Sequence, residues 1–159
     1  MTVLIAFDGS DDSRAAVEYA ARHLRPEPAV ILSVWEPLVA QITWAPIAAA
    51  APVVMQTRDR EKFEEEKQAE RLASKGAELA AAAGLPDVTP RAERSGGPIW
   101  AAIVDVAEEL DASLVVTGSR GLSRARSVLL GSTSTRVLHH VQRPVLIVPP
   151  AKDADGAED

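Results

Sequence analysis

The 159-residue sequence contains no cysteine. This excludes disulfides, thiolate zinc sites, iron–sulfur clusters and a cysteine nucleophile, and it suits a reducing compartment. Aromatic residues make up only 4% of the chain, so the core must be built from Ala, Val, Leu and Ile. The apolar segment at residues 36–56 is interrupted by prolines and glutamines, well short of the ~20 apolar residues of a membrane helix. Because the opening MTVLIAFDGSDDS also lacks a basic region, we expect a cytoplasmic protein with no signal peptide.

Acidic residues outnumber basic ones by 23 to 17, which gives a net charge of −6. This balance argues against non-specific binding to nucleic acid or to an anionic membrane. Half of the excess lies in the last nine residues, AKDADGAED, which hold four acids and one lysine. We expect one domain over residues 1–150 and an acidic, disordered tail at 151–159.

Short strand-like runs alternate with amphipathic stretches along the chain. Five runs predict strands, four of them continuously apolar and one polar: residues 3–7, 29–34, 88–93, 113–117 and 145–149. Four stretches with apolar residues at helical spacing predict helices: residues 13–24, 57–83, 99–110 and 132–140. This alternation, with apolar strands, predicts a doubly wound α/β domain whose parallel sheet carries helices on both faces. Residues 36–56 are expected to form an irregular functional loop or a contact surface.

Two predicted strands end in loops that suit a ligand, because doubly wound sheets bind ligands at the carboxyl ends of their strands. Asp8–Ser10 follows the first strand, and Gly118–Gly121 follows the fourth. Gly131–Thr133 then begins a helix, where free N–H groups and the helix dipole favour an anion. Glycines allow positive φ and close approach of the backbone to that anion. Local positive charge comes from Arg120, Arg124 and Arg126, so the second loop is predicted to cradle phosphate.

The segment TGSRGLSRARSVLLGSTSTRVLHHVQRPVLIVPP, with its G-x-x-G, nine-residue, G-S spacing, resembles the C-terminal half of ATP-binding universal stress proteins. The opening VLIAFDGSDDS resembles their first strand and loop, and SGGPIWAAIVDVAEELDASLVVTGSRG their middle section. The resemblance covers nearly all of residues 2–150. It implies a Rossmann-like, open five-stranded parallel sheet of order 3-2-1-4-5, and a stress-response regulator whose conformation depends on bound ATP.

The resemblance also implies a set of site residues. Asp8 would contact the adenosine part of ATP with the Gly9 backbone beside it, and Val34 would line the adenine pocket. Thr117 stands where many ATP-binding relatives have Met, which would alter contacts near the base. The residues around ribose and phosphates would be Gly118, Ser119, Arg120, Gly121, Gly131, Ser132 and Thr133. A Mg²⁺ ion bridging the phosphates is compatible with the resemblance, although the sequence has no dedicated carboxylate cluster. Family members commonly dimerise through the final strand, so a homodimer through residues 145–149 is expected.

The residues themselves leave alternatives open. Short glycine motifs also serve as ordinary turns, and Asp8 can bond its own backbone in a turn. The protein could therefore be a nucleotide-free interaction module, or a slow ATPase or nucleotidyl-transfer enzyme supported by Mg²⁺ and Asp8. Since the sequence has no Walker A lysine, no G-x-S-x-G elbow and no His–carboxylate pair at nucleophile spacing, we expect at most weak ATP hydrolysis. The three tryptophans, Trp35, Trp44 and Trp100, are expected to serve packing.

Overall fold

The computed structural model describes residues 1–36, 51–119 and 130–150. The strands are β1 Val3–Ala6, β2 Ala29–Trp35, β3 Val88–Arg94, β4 Leu114–Gly118 and β5 Val145–Val148. The helices are α1 Asp11–His23, α2 Ala51–Ala82, α3 Ile99–Glu109 and α4 Ser132–His140. Several predictions fall outside the described residues: those for Trp44, Arg120, Gly121, Arg124, Arg126, most of the 36–56 segment and the tail 151–159.

The five strands form one parallel sheet of order β3-β2-β1-β4-β5, which confirms the predicted topology. β1 is central, with Val3 aligned to Ala29 of β2 on one side and to Leu114 of β4 on the other. The chain builds outward from β1 to β3, then crosses back to β4. The loops after β1 and β4 therefore leave the sheet on opposite sides of the point where strand order reverses, which is where such folds bind ligands.

Alternate side chains of the strands supply two separate cores. Ile5, Ile31 and Val116 pack against α1 and α2 on one face. Leu4, Leu32 and Val115 pack against α3 and α4 on the other. Because both faces of the sheet are covered, the strands need apolar residues at every position, and this explains the continuous apolar runs in the sequence.

Helix α1 begins at Asp11, two residues before the predicted start. The Ser10 hydroxyl accepts a hydrogen bond from the Ser13 N–H at 3.2 Å, and the Ser13 hydroxyl donates to the Ser10 carbonyl at 2.9 Å. Asp11 and Asp12 lie in the first turn, where a negative charge complements the helix dipole. The short segment between β1 and α1 is thereby fixed by local hydrogen bonds.

Helix α2 begins at Ala51, six residues before the predicted start at Thr57, so residues 51–56 are helical and that part of the loop prediction is wrong. Pro52 is the second residue of the helix, where its missing N–H costs nothing because first-turn N–H groups have no acceptor within a helix. The polar run around residue 90 does form a strand, β3. As an edge strand paired only with β2, it tolerates Pro90. Within the described residues, no helix has both the length and the hydropathy of a membrane span.

Gly76 sets how closely α2 approaches the sheet. A Cβ at this position would lie 2.7 Å from Ile31 Cγ2 and 2.8 Å from Phe7 Cδ1, and both of these side chains are fully buried. We expect Gly76→Ala to lower the free energy of unfolding by about 1–2 kcal/mol, because overpacking outweighs the gain in helix propensity.

Urea denaturation of Gly76→Ala beside Gly96→Ala measures this effect. Gly96 is exposed, and no atom lies within 4 Å of its added Cβ, so its change should stay within about 0.5 kcal/mol. Equal midpoints for the two variants would contradict the packing argument.

Candidate functional site

A cavity of about 820 Å³ opens at the carboxyl ends of β1, β2 and β4, within the roughly 300–1,000 Å³ range of small-molecule sites. The strand ends and the turn after β1 supply part of its wall, α2 and α3 flank it, and the first turn of α4 closes one end. The predicted site residues that line it are Asp8, Val34, Thr117, Gly118, Gly131, Ser132 and Thr133. The fold thus brings together residues from three distant parts of the sequence.

The α4 end of the cavity is suited to an anion. Gly131 is the N-cap of α4, with extended backbone (φ −70°, ψ 161°) and no side chain over the helix terminus. Ser132 and Thr133 follow in the first turn and line the cavity. N–H groups in the first turn have no acceptor within the helix, and the helix dipole adds partial positive charge there. This end can therefore bind an anion largely through backbone groups.

The strand end beside it is held by hydroxyl groups. The buried Ser134 hydroxyl donates to the Gly118 carbonyl at 2.6 Å, and the Thr117 hydroxyl lies 3.5 Å from Ser134 Oγ. These contacts join the end of β4 to the first turn of α4. The first turn of α4 consequently has a fixed position relative to the sheet.

The structure gives a packing reason for glycine at position 118. Its φ is not positive, so this residue does not use the left-handed conformation that glycine allows. A Cβ here would lie 2.7 Å from the backbone carbonyl carbon of Asp12, a contact that the helix backbone cannot relieve. Close packing of β4 against α1 therefore requires glycine.

Ser119 and Gly9 lie near the cavity but are not among its lining residues. The Ser119 hydroxyl donates to Asp12 Oδ2 at 2.9 Å, so its side chain turns toward α1. Gly9 has a positive φ of 81°, as the tight turn after β1 requires. Asp8 forms part of that turn, since its Oδ1 accepts the Ser10 N–H at 2.9 Å, and the residue also lines the cavity.

Several lining residues were not found by sequence reasoning. Trp35, which was expected to serve packing, lines the cavity, and the Arg94 guanidinium lies 5.9 Å from its ring centroid. Further lining residues come from the position after β2, from α2 and from α3: Glu36, Glu65, Gln68, Ala69, Leu72, Ile99 and Ile103. Positions 65, 68, 69 and 72 share one helical face, so the spacing was a usable signal. The spacing does not show which part of the long helix α2 faces the site, because that depends on how the helix packs against the sheet.

Among the described lining residues of this cavity, the charged side chains are acidic: Asp8, Glu36 and Glu65. Arg136 lines an adjoining pocket that shares Glu36, Ser132 and Thr133 with the main cavity. A ligand that extends from the main cavity along Ser132 and Thr133 would therefore approach the Arg136 guanidinium. Within the described residues, no cluster of three or more His, Asp or Glu could hold a metal ion.

Two groups of ion pairs among the described residues, around Arg91 and Arg143, lie away from the cavity. The Arg91 guanidinium forms two hydrogen bonds with Glu109, at 2.8 and 3.0 Å, and holds the pKa of that carboxyl below its usual range. Arg143 bonds Glu108 at 3.0 Å and also contacts Asp111. These pairs tie the C-terminal end of α3 to β3 and to the turn before β5, so their role is structural.

The fold defines a doubly wound α/β protein with a cavity where the strand order reverses. The family model described as "Universal stress protein family" matches residues 1–149, so the chain belongs to the universal stress protein family. Universal stress protein YxiE of Bacillus subtilis is 34% identical over 147 residues, which cover 92% of this chain and 97% of that protein. A universal stress protein of Mycolicibacterium smegmatis is 30% identical over 148 residues, and the chain spans only 47% of its length.

Solved structures agree with the fold. One, of a hypothetical protein whose biochemical function was assigned from its structure, has a TM-score of 0.76 at 19% identity and covers 96% of this chain and 97% of its own. A universal stress protein in complex with cAMP has a TM-score of 0.63 at 27% identity and covers 95% and 98%. The first establishes likeness of fold alone, whereas the second is also a family member with a bound nucleotide.

We expect Ser134→Ala to lower the free energy of unfolding by about 1–3 kcal/mol, because the Gly118 carbonyl would lose its hydroxyl partner in a buried setting. Ser132→Ala, two residues earlier and exposed, should change it by under about 0.5 kcal/mol. Denaturant unfolding of both variants measures the difference. Equal stability of Ser134→Ala and the unmutated protein would mean that the junction between β4 and α4 does not depend on this bond.

Proposed function

We propose that this protein binds an adenine nucleotide in the cavity, with ATP as the expected ligand, and that it regulates a stress response through nucleotide-dependent conformation. The observation that carries the proposal is the polarity of the cavity: hydrogen-bond acceptors and apolar walls at the β1–β2 end, and a helix N-terminus at the other. A family member in complex with cAMP supports the same class of ligand. Residues 1–150 would form the nucleotide-binding domain, and the acidic stretch 151–159 would lie outside it.

Each part of the nucleotide has a matching surface. Val34, Trp35 and Leu72 offer an apolar wall for the base. The Asp8 carboxylate can accept hydrogen bonds from ribose hydroxyls, which are donors. The phosphates would bind the first-turn N–H groups of α4, where Gly131 leaves the backbone uncovered.

ATP is preferred over AMP in this proposal because of Arg136. The adjoining pocket that contains Arg136 shares Ser132 and Thr133 with the main cavity. Phosphates beyond the first would extend along these residues toward the guanidinium, which pairs well with phosphate oxygens. If Mg²⁺ accompanies ATP, its ligands would be mainly phosphate oxygens and water, as is common for this ion.

We propose a regulatory role in the cytoplasm, in keeping with the cysteine-free sequence, and not an enzymatic one. Asp8 Oδ1 already accepts the Ser10 N–H. The described lining of the cavity also contains no histidine or lysine to act as a general base. Steady ATP turnover that disappears in Asp8→Ala would favour the alternative of a slow ATPase.

Gly131→Asp tests the phosphate site. Aspartate is a good N-cap and the backbone of Gly131 is extended, so the fold should persist while a carboxylate is placed beside the phosphates. We expect ATP affinity to fall more than tenfold by calorimetry on nucleotide-free protein, because like charges repel at short range.

The matched control is Gly131→Asn, which has nearly the same shape and no charge and should bind ATP more tightly than Gly131→Asp. Nucleotide released on denaturing freshly purified protein gives independent support. If the unmutated protein releases no nucleotide and binds no ATP at millimolar concentration, nucleotide binding is wrong.

We also propose a homodimer through the edge strand β5. Leu146 and Val148 pack into one core and Val145 into the other. Ile147 belongs to neither of the described clusters and is half-buried, so part of its apolar side chain remains accessible to a partner. An apolar edge strand is prone to pair with a second copy. Ile147 would then lie in or beside the contact between the two protomers.

Ile147→Glu should convert a dimer into a monomer, because the interface would have to bury an unpaired carboxylate. Light scattering coupled to size exclusion measures the mass, and circular dichroism checks that the fold is retained. Gln142→Glu is the control, since this exposed residue precedes β5 and receives the same group. A monomeric unmutated protein, or a variant that stays dimeric, would exclude this interface.

A further inference from the structure

The chain between β4 and α4 is tied together at its two ends. The Gly131 N–H donates to the Ser119 carbonyl, so the residue after β4 is bonded to the N-cap of α4. The Ser134 hydroxyl donates to the Gly118 carbonyl at 2.6 Å. These two bonds fix the start of α4 relative to the end of β4, but neither of them reaches helix α1, which packs on the other face of the sheet.

Asp12 supplies that link. The Ser119 hydroxyl donates to Asp12 Oδ2 at 2.9 Å, and the two residues are only 4% and 6% exposed. Beside them, a Cβ on Gly118 would lie 2.7–2.9 Å from Asp12 atoms. The first turn of α1 is therefore in direct contact with the end of β4, with one charge-assisted hydrogen bond across the contact.

We propose that Asp12 is a positioning residue for the phosphate end of the nucleotide site, acting through Ser119; this inference rests on the proposed function. Asp12 does not line the cavity. It holds the hydroxyl of Ser119, whose carbonyl in turn holds the N–H of Gly131. This chain of contacts keeps the first turn of α4 aimed at the phosphates.

The two ends of the ligand would contact different parts of the protein. The nucleoside end is formed by Asp8, Val34 and Trp35, and none of them bonds Ser119 among the described contacts. Loss of the Asp12–Ser119 bond should therefore weaken phosphate binding and leave the nucleoside surface intact. A purely structural Asp12 would alter stability without changing the ratio of ATP affinity to adenosine affinity.

Asp11 is a matched control within the same turn. It carries the same charge at the same helix terminus but is exposed, whereas Asp12 is buried. Removing a negative charge near the site should by itself strengthen binding of an anion. Asp11→Ala should therefore leave ATP affinity unchanged or slightly higher, and Asp12→Ala should change it in the opposite direction.

The experiment measures dissociation constants for ATP and adenosine by calorimetry on the full chain. We expect Asp12→Ala to weaken ATP binding about tenfold, the effect of losing one charge-assisted hydrogen bond, and adenosine binding less than twofold. Asp12→Asn retains an acceptor oxygen and should restore most of the ATP affinity. Ser119→Ala should reproduce the effect of Asp12→Ala, and the double variant should be no weaker than either single one.

Three results would overturn the inference: equal loss of ATP and adenosine affinity in Asp12→Ala, equal behaviour of Asp11→Ala and Asp12→Ala, or additive effects of the two single changes. If Asp12→Ala does not fold, the milder Ser119→Ala decides through the same ratio. Failure of the unmutated protein to bind ATP would overturn the proposed function together with this inference. Normal ATP binding with an unchanged ratio would overturn the inference alone.

Discussion

The pairing of β1 with β2 on one side and β4 on the other is the constraint on which the site depends. Because the sheet is parallel, every strand ends at the same edge, and because its order reverses beside β1, the connections there diverge to opposite faces. The space between them is the cavity. The topology brings the turn after β1, the end of β4 and the start of α4 together there.

Close packing then fixes the dimensions of that space. Gly76 lets α2 approach Phe7 and Ile31, while Gly118 lets β4 approach the first turn of α1. At the second of these junctions the Ser119 hydroxyl donates to Asp12 of α1, and the Ser134 hydroxyl joins the same strand end to α4. The site therefore rests on closely packed apolar layers, and short hydrogen bonds align its polar groups at the end of β4.

Sequence reasoning predicted the fold well because the information is local: buried parallel strands require continuous apolar runs, and each helix shows its own periodicity. It predicted the start of α2 poorly, since prolines and apolar residues resemble a loop unless one knows that Pro52 falls in a first turn. The contacts of Gly118 and Ser119 with Asp12 could not be predicted from the sequence for a different reason. Glycine and serine in such a loop are compatible with ligand contact and with close packing, and the proximity of Asp12 depends on how α1 packs against β4.

The acidic composition of the chain is compatible with an anionic ligand in the proposed site. A net charge of −6 would discourage an anionic ligand if phosphate were bound through bulk charge. In the proposed site it is bound through helix N–H groups and Arg136, while the carboxylates Asp8, Glu36 and Glu65 line the same cavity. Glu36 also borders the pocket of Arg136, whereas Asp8 lies in the turn after β1. The Asp8 carboxylate repels phosphate and accepts hydrogen bonds from hydroxyl groups, so it would oppose binding of the nucleotide in the reversed orientation and contribute to specificity.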